Sequence, residues 1–445
     1  MAIFEAGDIV KSDIGMPIKI VKFLAAGGQG EVYVVEYAGK KKALKWYTDA
    51  GETPQKFYEN LKKNVNKQSP GDVFLWPEAI TEEPKNFDNI SGKDSFGYVM
   101  DLSPEGYIEM SEIIAKNIKM SFNAIVDASL KIISAFRTLH LSGYSYQDLN
   151  DNNFFINPQT GDLKIGDNDN VSPNGENTGI LGKPRYMAPE IVVGEGAVFP
   201  DLHTDEHSLA VILFLLMFHK HPLEGKKWLC PCLNKQNEYV LYGKEPVFIM
   251  DKTDESNKAD SYVDNGFIAL WECMPQYMKD AYCSAFSKEA LHNVPGKRVR
   301  ETAWQKLYTR LRNGIIKCSR CGTEVFIIDS KTTPCDQCGS PVVVDKVFDF
   351  QNAIDEDRYS TAAQYGARVY MCQVKNGAKP DEALDPVAVV VRHQTTGEYG
   401  VQNKSSLILE AITPSGKSRQ VKPGEVIPFK AGIKIKAFDC IIELK

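Results

Sequence analysis

Two acidic clusters lie close together in this chain: Tyr146-Gln147-Asp148-Leu149-Asn150-Asp151-Asn152-Asn153 and Gly166-Asp167-Asn168-Asp169. Moving a phosphoryl group takes little covalent help. It takes divalent metal on the phosphates and a group that orients the attacking hydroxyl. A carboxylate at Asp148, an amide at Asn153 and a second carboxylate at Asp167 supply such parts. Upstream runs Ala25-Ala26-Gly27-Gly28-Gln29-Gly30-Glu31-Val32. Glycines let backbone N–H groups approach phosphate oxygens with no Cβ in the way, although such a hairpin alone also reads as a plain turn. Lys45, between Ala43, Leu44 and Trp46, can meet phosphate in a cleft if a carboxylate holds it. Glu59 is the best candidate for that carboxylate; the alternative is a solvated lysine on an edge strand.

Four cysteines form a separate constellation. Cys318-Ser319-Arg320-Cys321-Gly322 and Cys335-Asp336-Gln337-Cys338-Gly339 are matched knuckles thirteen residues apart. Four soft ligands at this spacing suit tetrahedral Zn²⁺ with no open position, and a redox pair would not need two matched copies. A segment of about 30 residues buries little core, so metal is expected to supply much of its fold. Arg320 is the one basic residue in the knuckles, which favours a docking surface over nucleic-acid binding. Cys230-Pro231-Cys232, Cys273, Cys283, Cys372 and Cys440 show no ligand spacing and read as ordinary buried thiols.

The elements that must position these groups follow from periodicity. Ile18–Leu24 and Glu31–Tyr37 alternate as strands, and Ala38-Gly39-Lys40 turns into a third strand, Lys41–Tyr47. Thr53-Pro54 starts a polar helix, and Phe96–Met100 is another strand. From about residue 103 the period is helical: Val126, Leu130, Ile133, Phe136 and His140 share a face, and Gly143 ends the helix. Helices are expected at 205–218, 268–286 and 301–312. Residues 343–360 are charged, lack strong periodicity and read as a linker. Short strands come next, with turn signals at Gly397-Glu398-Tyr399-Gly400, Pro414-Ser415-Gly416 and Pro423-Gly424.

A chain of 445 residues predicts two to four domains. A net charge of −6 argues against a protein dominated by contacts to nucleic-acid phosphates. The start, Met1-Ala2-Ile3-Phe4-Glu5, has no signal-peptide pattern, and the longest apolar run, Leu209–Phe218, is half a membrane span. Ten cysteines without a signal peptide point to reduced thiols or metal. The expectation is a cytoplasmic protein that binds neither membrane nor nucleic acid.

In their order and spacing, the segments from 18 to 312 resemble the protein-kinase superfamily. Gly27 and Gly30 match the second and third loop glycines, with Ala25 in place of the first. The resemblance implies that ATP lies under Gly27, Gly28, Gly30 and Val32. It implies that Lys45 grips the α- and β-phosphates, with Glu59 as its helix partner, and that Met100-Asp101-Leu102 is the hinge receiving adenine. Asp148 corresponds to the catalytic-loop aspartate; Asn153 and Asp167 correspond to ligands of Mg²⁺ or Mn²⁺. Tyr186-Met187-Ala188-Pro189-Glu190 closes the activation segment, Asp205 braces the catalytic loop, and Arg298 pairs with Glu190.

The departures are specific. Tyr146 and Gln147 replace the catalytic-loop histidine and arginine, Asn150 replaces a lysine, and Asn168-Asp169 replace Phe-Gly. A neutral Gln147 cannot read a phosphorylated activation loop, whose hydroxyl candidates are Ser172, Thr178 and Tyr186. Lys183 stands where the family has threonine and is the residue expected to restore positive charge beside the γ-phosphate. Asn168 removes an apolar anchor; Asp169 reads as either a metal ligand or a solvated turn residue.

Tyr399–Ser405, Val421–Phe429 and Ile433-Lys434-Ile435 resemble the later strands of forkhead-associated (FHA) β-sandwiches, without the residues that family uses to bind phosphothreonine. A protein-binding sandwich is the expectation. The fold class is thus α+β: a bilobal protein-kinase-like fold, then a zinc ribbon, then a small all-β sandwich. The expected boundaries are kinase 1–312 (lobes about 1–101 and 102–312), ribbon 313–342, linker 343–360 and FHA-like domain 361–445. The layout is similar to bacterial eukaryotic-like kinases of the tellurium-resistance type, which implies a von Willebrand A protein and a PP2C-type phosphatase as partners beside a protein substrate. The functional expectation is a non-RD serine/threonine kinase in a bacterial stress or signalling module. The rivals are a pseudokinase scaffold and a kinase acting on a small molecule.

Overall fold

The computed structural model describes residues 2–445 apart from Glu52, 177–178, 180, 195–196, 229–233, 328–330 and 353–357. Thr178, Cys230-Pro231-Cys232 and Ile328 lie outside the described residues. The chain forms two compact units: Met1–Lys119, Thr138–Ala259 and Ala285–Arg298 in one, Met120–Arg137, Asp260–Ser284 and Val299–Lys445 in the other. The division does not fall at the expected boundary of 312. Within the second unit, Arg312 pairs with Asp127 at 2.7 Å and the Phe122 and Phe326 rings lie 4.4 Å apart. These contacts tie residues 122–127 to residues at and beyond that boundary.

The first unit opens with a six-stranded antiparallel sheet: β1 (Ile9–Lys11), β2 (Pro17–Ala26), β3 (Gly30–Tyr37), β4 (Lys40–Tyr47), β5 (Ala79–Ile80) and β6 (Gly97–Met100), in the order β1-β2-β3-β4-β6-β5. Alternation decides what each face carries. Tyr33, Val35, Leu44, Trp46 and Val99 cluster on one side. Ala43, Tyr47, Tyr98 and Met100 cluster with Phe57, Tyr58 and Leu61 of the helix Pro54–Val65. Lys45 shares the parity of Ala43 and Tyr47, so its side chain starts on the helix side of the sheet. The helix begins with Pro at its first turn after Thr53, where the missing N–H costs nothing.

Small hairpins then place the acidic clusters. Phe154–Ile156 pairs antiparallel with Leu163–Ile165, Phe154 opposite Ile165. Asn153 and Gly166 flank that closed end, and the Gly166 N–H donates to the Asn153 carbonyl at 2.8 Å. The helix Leu202–Phe218 starts three residues before the expected point because Asp201 and Thr204 form a reciprocal cap. It is buried from Thr204 to Phe218, so its apolar run is core. Among the described residues, no helix is long and apolar enough to cross a membrane.

In the second unit the expected helix 268–286 is two, Asn265–Cys273 and Gln276–Ala285, broken at Met274-Pro275. Proline lacks the N–H and restricts the residue before it. Glu301–Asn313 forms as expected. The strand pairs Ile315–Lys317 with Glu324–Phe326 and Thr332–Pro334 with Pro341–Val343 carry the four cysteines.

The C-terminal region is all-β in its sheets: six strands in one and four in the other. Phe348, Phe350, Val369, Val390, Val401, Ile427, Ile435 and Ile442 share one core. Here the expected linker is corrected. Val347–Asn352 is an interior strand of the six-stranded sheet, between Arg358–Ala362 and Cys440–Leu444. Phe348 and Phe350 point into the core while Asp349 lies between them on the other face. The alternation is only two apolar residues deep, and the surrounding charges mask it.

Candidate active site

The glycine-rich segment is a tight hairpin between β2 and β3, closed by the Gly27 N–H on the Gly30 carbonyl at 2.8 Å. Its glycines differ. A Cβ on Gly30 would collide with the Trp46 carbonyl oxygen, whereas Gly27 and Gly28 face open space. Gly30 is therefore a packing glycine, and Gly27 and Gly28 leave room for a ligand. Val32 and Leu102, both partly buried, pack against the cluster that contains Ala43, Tyr98 and Met100. The Asp101 side chain is 64% exposed and accepts from Lys42 at 2.6 Å, so what it offers a hinge is backbone.

Lys45 is buried. Its Nζ donates to Asp169 Oδ2 at 2.9 Å and to Asp167 Oδ1 at 3.1 Å, with Gln29 Oε1 at 3.5 Å. Burial opposes its charge, but the Asp167 and Asp169 carboxylates more than reverse this and hold its pKa above the ordinary lysine value. Glu59 is not its partner. It is exposed and accepts from Gln55 at 3.3 Å. The helix turns Phe57, Tyr58, Asn60, Leu61 and Asn64 inward, which puts Glu59 on the opposite face.

Asp167 adopts a left-handed conformation, φ +47°, and starts the short turn Asn168–Asn170. Asn168 replaces an apolar anchor with hydrogen bonds: fully buried, it donates to the Leu75 and Ile165 carbonyls at 2.8 and 2.9 Å. Asp169 is fully buried as well, so it is not a solvated turn residue.

The catalytic-loop segment is held from below. Asp205 accepts from the Tyr146 N–H at 2.6 Å and the Gln147 N–H at 3.1 Å, and His140 Nε2 lies 3.2 Å from it. The Tyr146 hydroxyl donates to the Gly166 carbonyl, which links the loop to the turn that begins at Asp167. Asn153 Nδ2 donates to the Asp148 carbonyl at 2.9 Å, leaving its amide oxygen for a metal. Gln147, at φ +72°, donates to the Glu176 carbonyl and so ties the loop to the activation segment without charge.

Asp148 sits among these groups. Burial, then the neighbouring Asp167, pushes its pKa up to about 6, against the pull of Lys183, Asn150 and Lys45. A carboxylate poised there is ionised at neutral pH and still basic enough to take a proton. Gly182, at φ +94°, would carry a Cβ only 3.1 Å from the Gln147 carbonyl, so the segment runs close against the loop. Lys183 Nζ then reaches Asn150 Oδ1 at 3.0 Å, while Asn150 Nδ2 donates to Asp148 Oδ1 at 3.2 Å. Farther along, Arg298 grips Glu190 with two bonds of 2.8 and 2.7 Å.

The family model described as "Protein kinase domain" matches residues 81–306, which is 226 of the 445. The chain belongs to the protein kinase family. The match begins after the glycine hairpin and Lys45, so those positions rest on the geometry above. A probable serine/threonine-protein kinase of Dictyostelium discoideum is 23% identical over 208 residues, 46% of this chain and 12% of that protein. A probable LIM domain-containing serine/threonine-protein kinase of the same organism is 24% identical over 267 residues, 57% of this chain and 26% of that one. This chain thus spans about a quarter or less of the length of these relatives. A crystal structure of the PknI kinase domain of M. tuberculosis aligns over 66% of this chain and 93% of its own, at 15% identity and a TM-score of 0.41.

At the second constellation the four thiols of Cys318, Cys321, Cys335 and Cys338 lie within 4.8 Å of one another. Sγ atoms are 3.7 Å apart for Cys318 and Cys338 and 3.5 Å for Cys321 and Cys335. Gly322 and Gly339 take φ +78° and +69°, the left-handed turn each knuckle needs. Sequence reasoning missed Asn60 and Asn64, which donate to the Val171 carbonyl, and Tyr47, which donates to Asp169. Asn64 was visible only as a polar residue on an apolar helix face.

Proposed function

We propose that this chain is an ATP-dependent protein kinase that transfers the γ-phosphoryl group to serine or threonine hydroxyls of a protein substrate. The observation that carries this is the grouping of Lys45, Asp167 and Asn153 around Asp148, with Lys183 alongside. Asp148 orients the acceptor hydroxyl and takes its proton. Lys45 positions the α- and β-phosphates, and Lys183 supplies positive charge near the γ-phosphate, where Gln147 and Asn150 have none. Gly27 and Gly28 leave their backbone open to the phosphates. Asp167 and Asn153 fit a hard cation: a half-exposed carboxylate and an amide oxygen that the bond from Asn153 Nδ2 to the Asp148 carbonyl does not use. Mg²⁺ or Mn²⁺ there would neutralise charge on the β- and γ-phosphates. The rate comes from positioning and electrostatics.

Ser172 and Tyr186 are buried, which takes them out of reach of a modifying kinase and favours control by a route other than a phosphate on those groups. The four-cysteine cluster suits Zn²⁺: a tetrahedron with Zn–S near 2.3 Å has S···S edges of about 3.8 Å. The C-terminal sandwich is read as a protein-binding module.

Incubation with labelled ATP, Mg²⁺ and candidate protein partners, beside Asp148→Asn, tests the activity. Labelling of serine or threonine well above the variant is expected. Labelling equal to the variant across partners and metals would replace this reading with a nucleotide-binding scaffold.

A further inference from the structure

Protein kinases depend on an ion pair between the phosphate-gripping lysine and a glutamate of the neighbouring helix. Here that helix carries one acid, Glu59, and it faces solvent. Lys45 is nevertheless buried, and a buried ammonium demands a partner. Asp169 meets it at 2.9 Å, closer than Asp167, and has no exposed surface. The same Oδ2 accepts from the Tyr47 hydroxyl, two residues along β4 from Lys45. The other oxygen, Oδ1, is buried with no hydrogen-bond partner among the described residues. A carboxylate buried half-satisfied at the position of a turn glycine is costly, and its contact with Lys45 is what it gains.

We propose that Asp169 is the positioning residue for Lys45, doing from the metal turn what a helix glutamate does elsewhere in the family. The proposal rests on the kinase reading for its functional meaning. It has a regulatory consequence. Lysine anchor and metal ligand sit two residues apart in one turn, so they are set or lost together. The helix Pro54–Val65 meets that turn through Asn60 and Asn64, whose amides donate to the Val171 carbonyl at 3.1 and 2.8 Å. A partner that moves the helix would therefore act on the turn as a whole, and not by drawing a carboxylate off the lysine.

A double-mutant cycle on the full chain tests this. Asp169→Asn and Lys45→Met should each lower kcat/KM for MgATP by about tenfold or more, and the double variant should be no worse than Lys45→Met alone. Glu59→Gln should stay within about twofold of wild type. Additive losses, a loss in Glu59→Gln equal to that of Asp169→Asn, or an Asp169→Asn enzyme as active as wild type would each overturn the proposal. Thermal melting reads the same pair without catalysis. Each single variant leaves one buried charge short of a partner and should melt lower; the double variant, with the pair removed together, should recover. A double variant melting below both singles overturns the pairing even if the wild type proves to transfer no phosphoryl group. That last result would end the kinase reading while the recovered melting point kept the pair.

Discussion

The cleft and the cysteine hairpins fix their functional groups by opposite means. Each cysteine knuckle is closed within five residues: the Cys318 carbonyl accepts from the Gly322 N–H, and the Cys335 carbonyl from the Gly339 N–H. The cleft is assembled across the sequence. Lys45 meets carboxylates 122 and 124 residues away, and Asp205 holds a loop 58 and 59 residues before it. Local closure makes a site that spacing alone can announce. Distant closure makes one whose partners depend on which side each element presents.

The contrast predicts how each region breaks. Removal of the Zn²⁺ proposed for the four cysteines should have the largest effect. Structural zinc sites of this type are worth on the order of 10–16 kcal/mol, so a strong chelator or Cys335→Ser should abolish hydrogen-exchange protection over 315–343. Persistence of that protection without metal would mean the hairpins stand on their own. In the cleft, Asp148→Asn should lower kcat by about 10³-fold with the fold intact, checked by single-turnover kinetics beside a melting curve. Lys183→Met should cost about 10²-fold in kcat with little change in stability; an unchanged rate would remove it from the site. Asp205→Ala leaves two buried N–H groups unpaired and should cost roughly 2–3 kcal/mol in urea unfolding, a loss of scaffold felt as a loss of rate.

The smallest effect is in pH. Neutral His221 is satisfied on both nitrogens, by the Arg185 carbonyl at 2.8 Å and the Leu223 N–H at 3.2 Å. Burial, resisted by Glu224, brings its pKa down to about 4. Between that value and the ordinary 6.5 the unfolded chain holds a proton that the folded chain does not. The contribution of His221 is therefore complete above about 6.5 and is lost as pH falls. At pH 5 the loss is on the order of 1–2 kcal/mol. His221→Asn should flatten that part of the stability profile, and an unchanged slope would exclude His221 as its source.

What could be read from the sequence obeys the same divide. The cysteines and their trailing glycines stand at spacings that carry their meaning, whereas Asp148, Asn153, Asp167 and the Glu190–Arg298 pair, 108 residues apart, were legible only through the resemblance to protein kinases. Lys183 was singled out because charge is missing at Gln147 and Asn150, and its contact with Asn150 keeps it a candidate for that role. The partner of Lys45 could not be read in either way. Choosing between Glu59 and Asp169 required knowing which face the helix turns inward, and Phe57, Tyr58 and Leu61 decide that by packing. The strand Val347–Asn352 was hidden because two buried phenylalanines among charges make too short a pattern. Pro275 signalled the split of the expected 268–286 helix, but the apolar period on either side of it outweighed that signal.

The two kinds of glycine in the hairpin carry a consequence for variant scanning. Any side chain at Gly30 must push against the Trp46 carbonyl, so substitutions there should deplete the protein itself: low abundance, with whatever survives working normally. Substitutions at Gly27 or Gly28 meet nothing in the protein and should leave full abundance with weakened use of nucleotide. One short motif would then divide into two phenotypes, and a paired abundance and activity screen would separate them residue by residue.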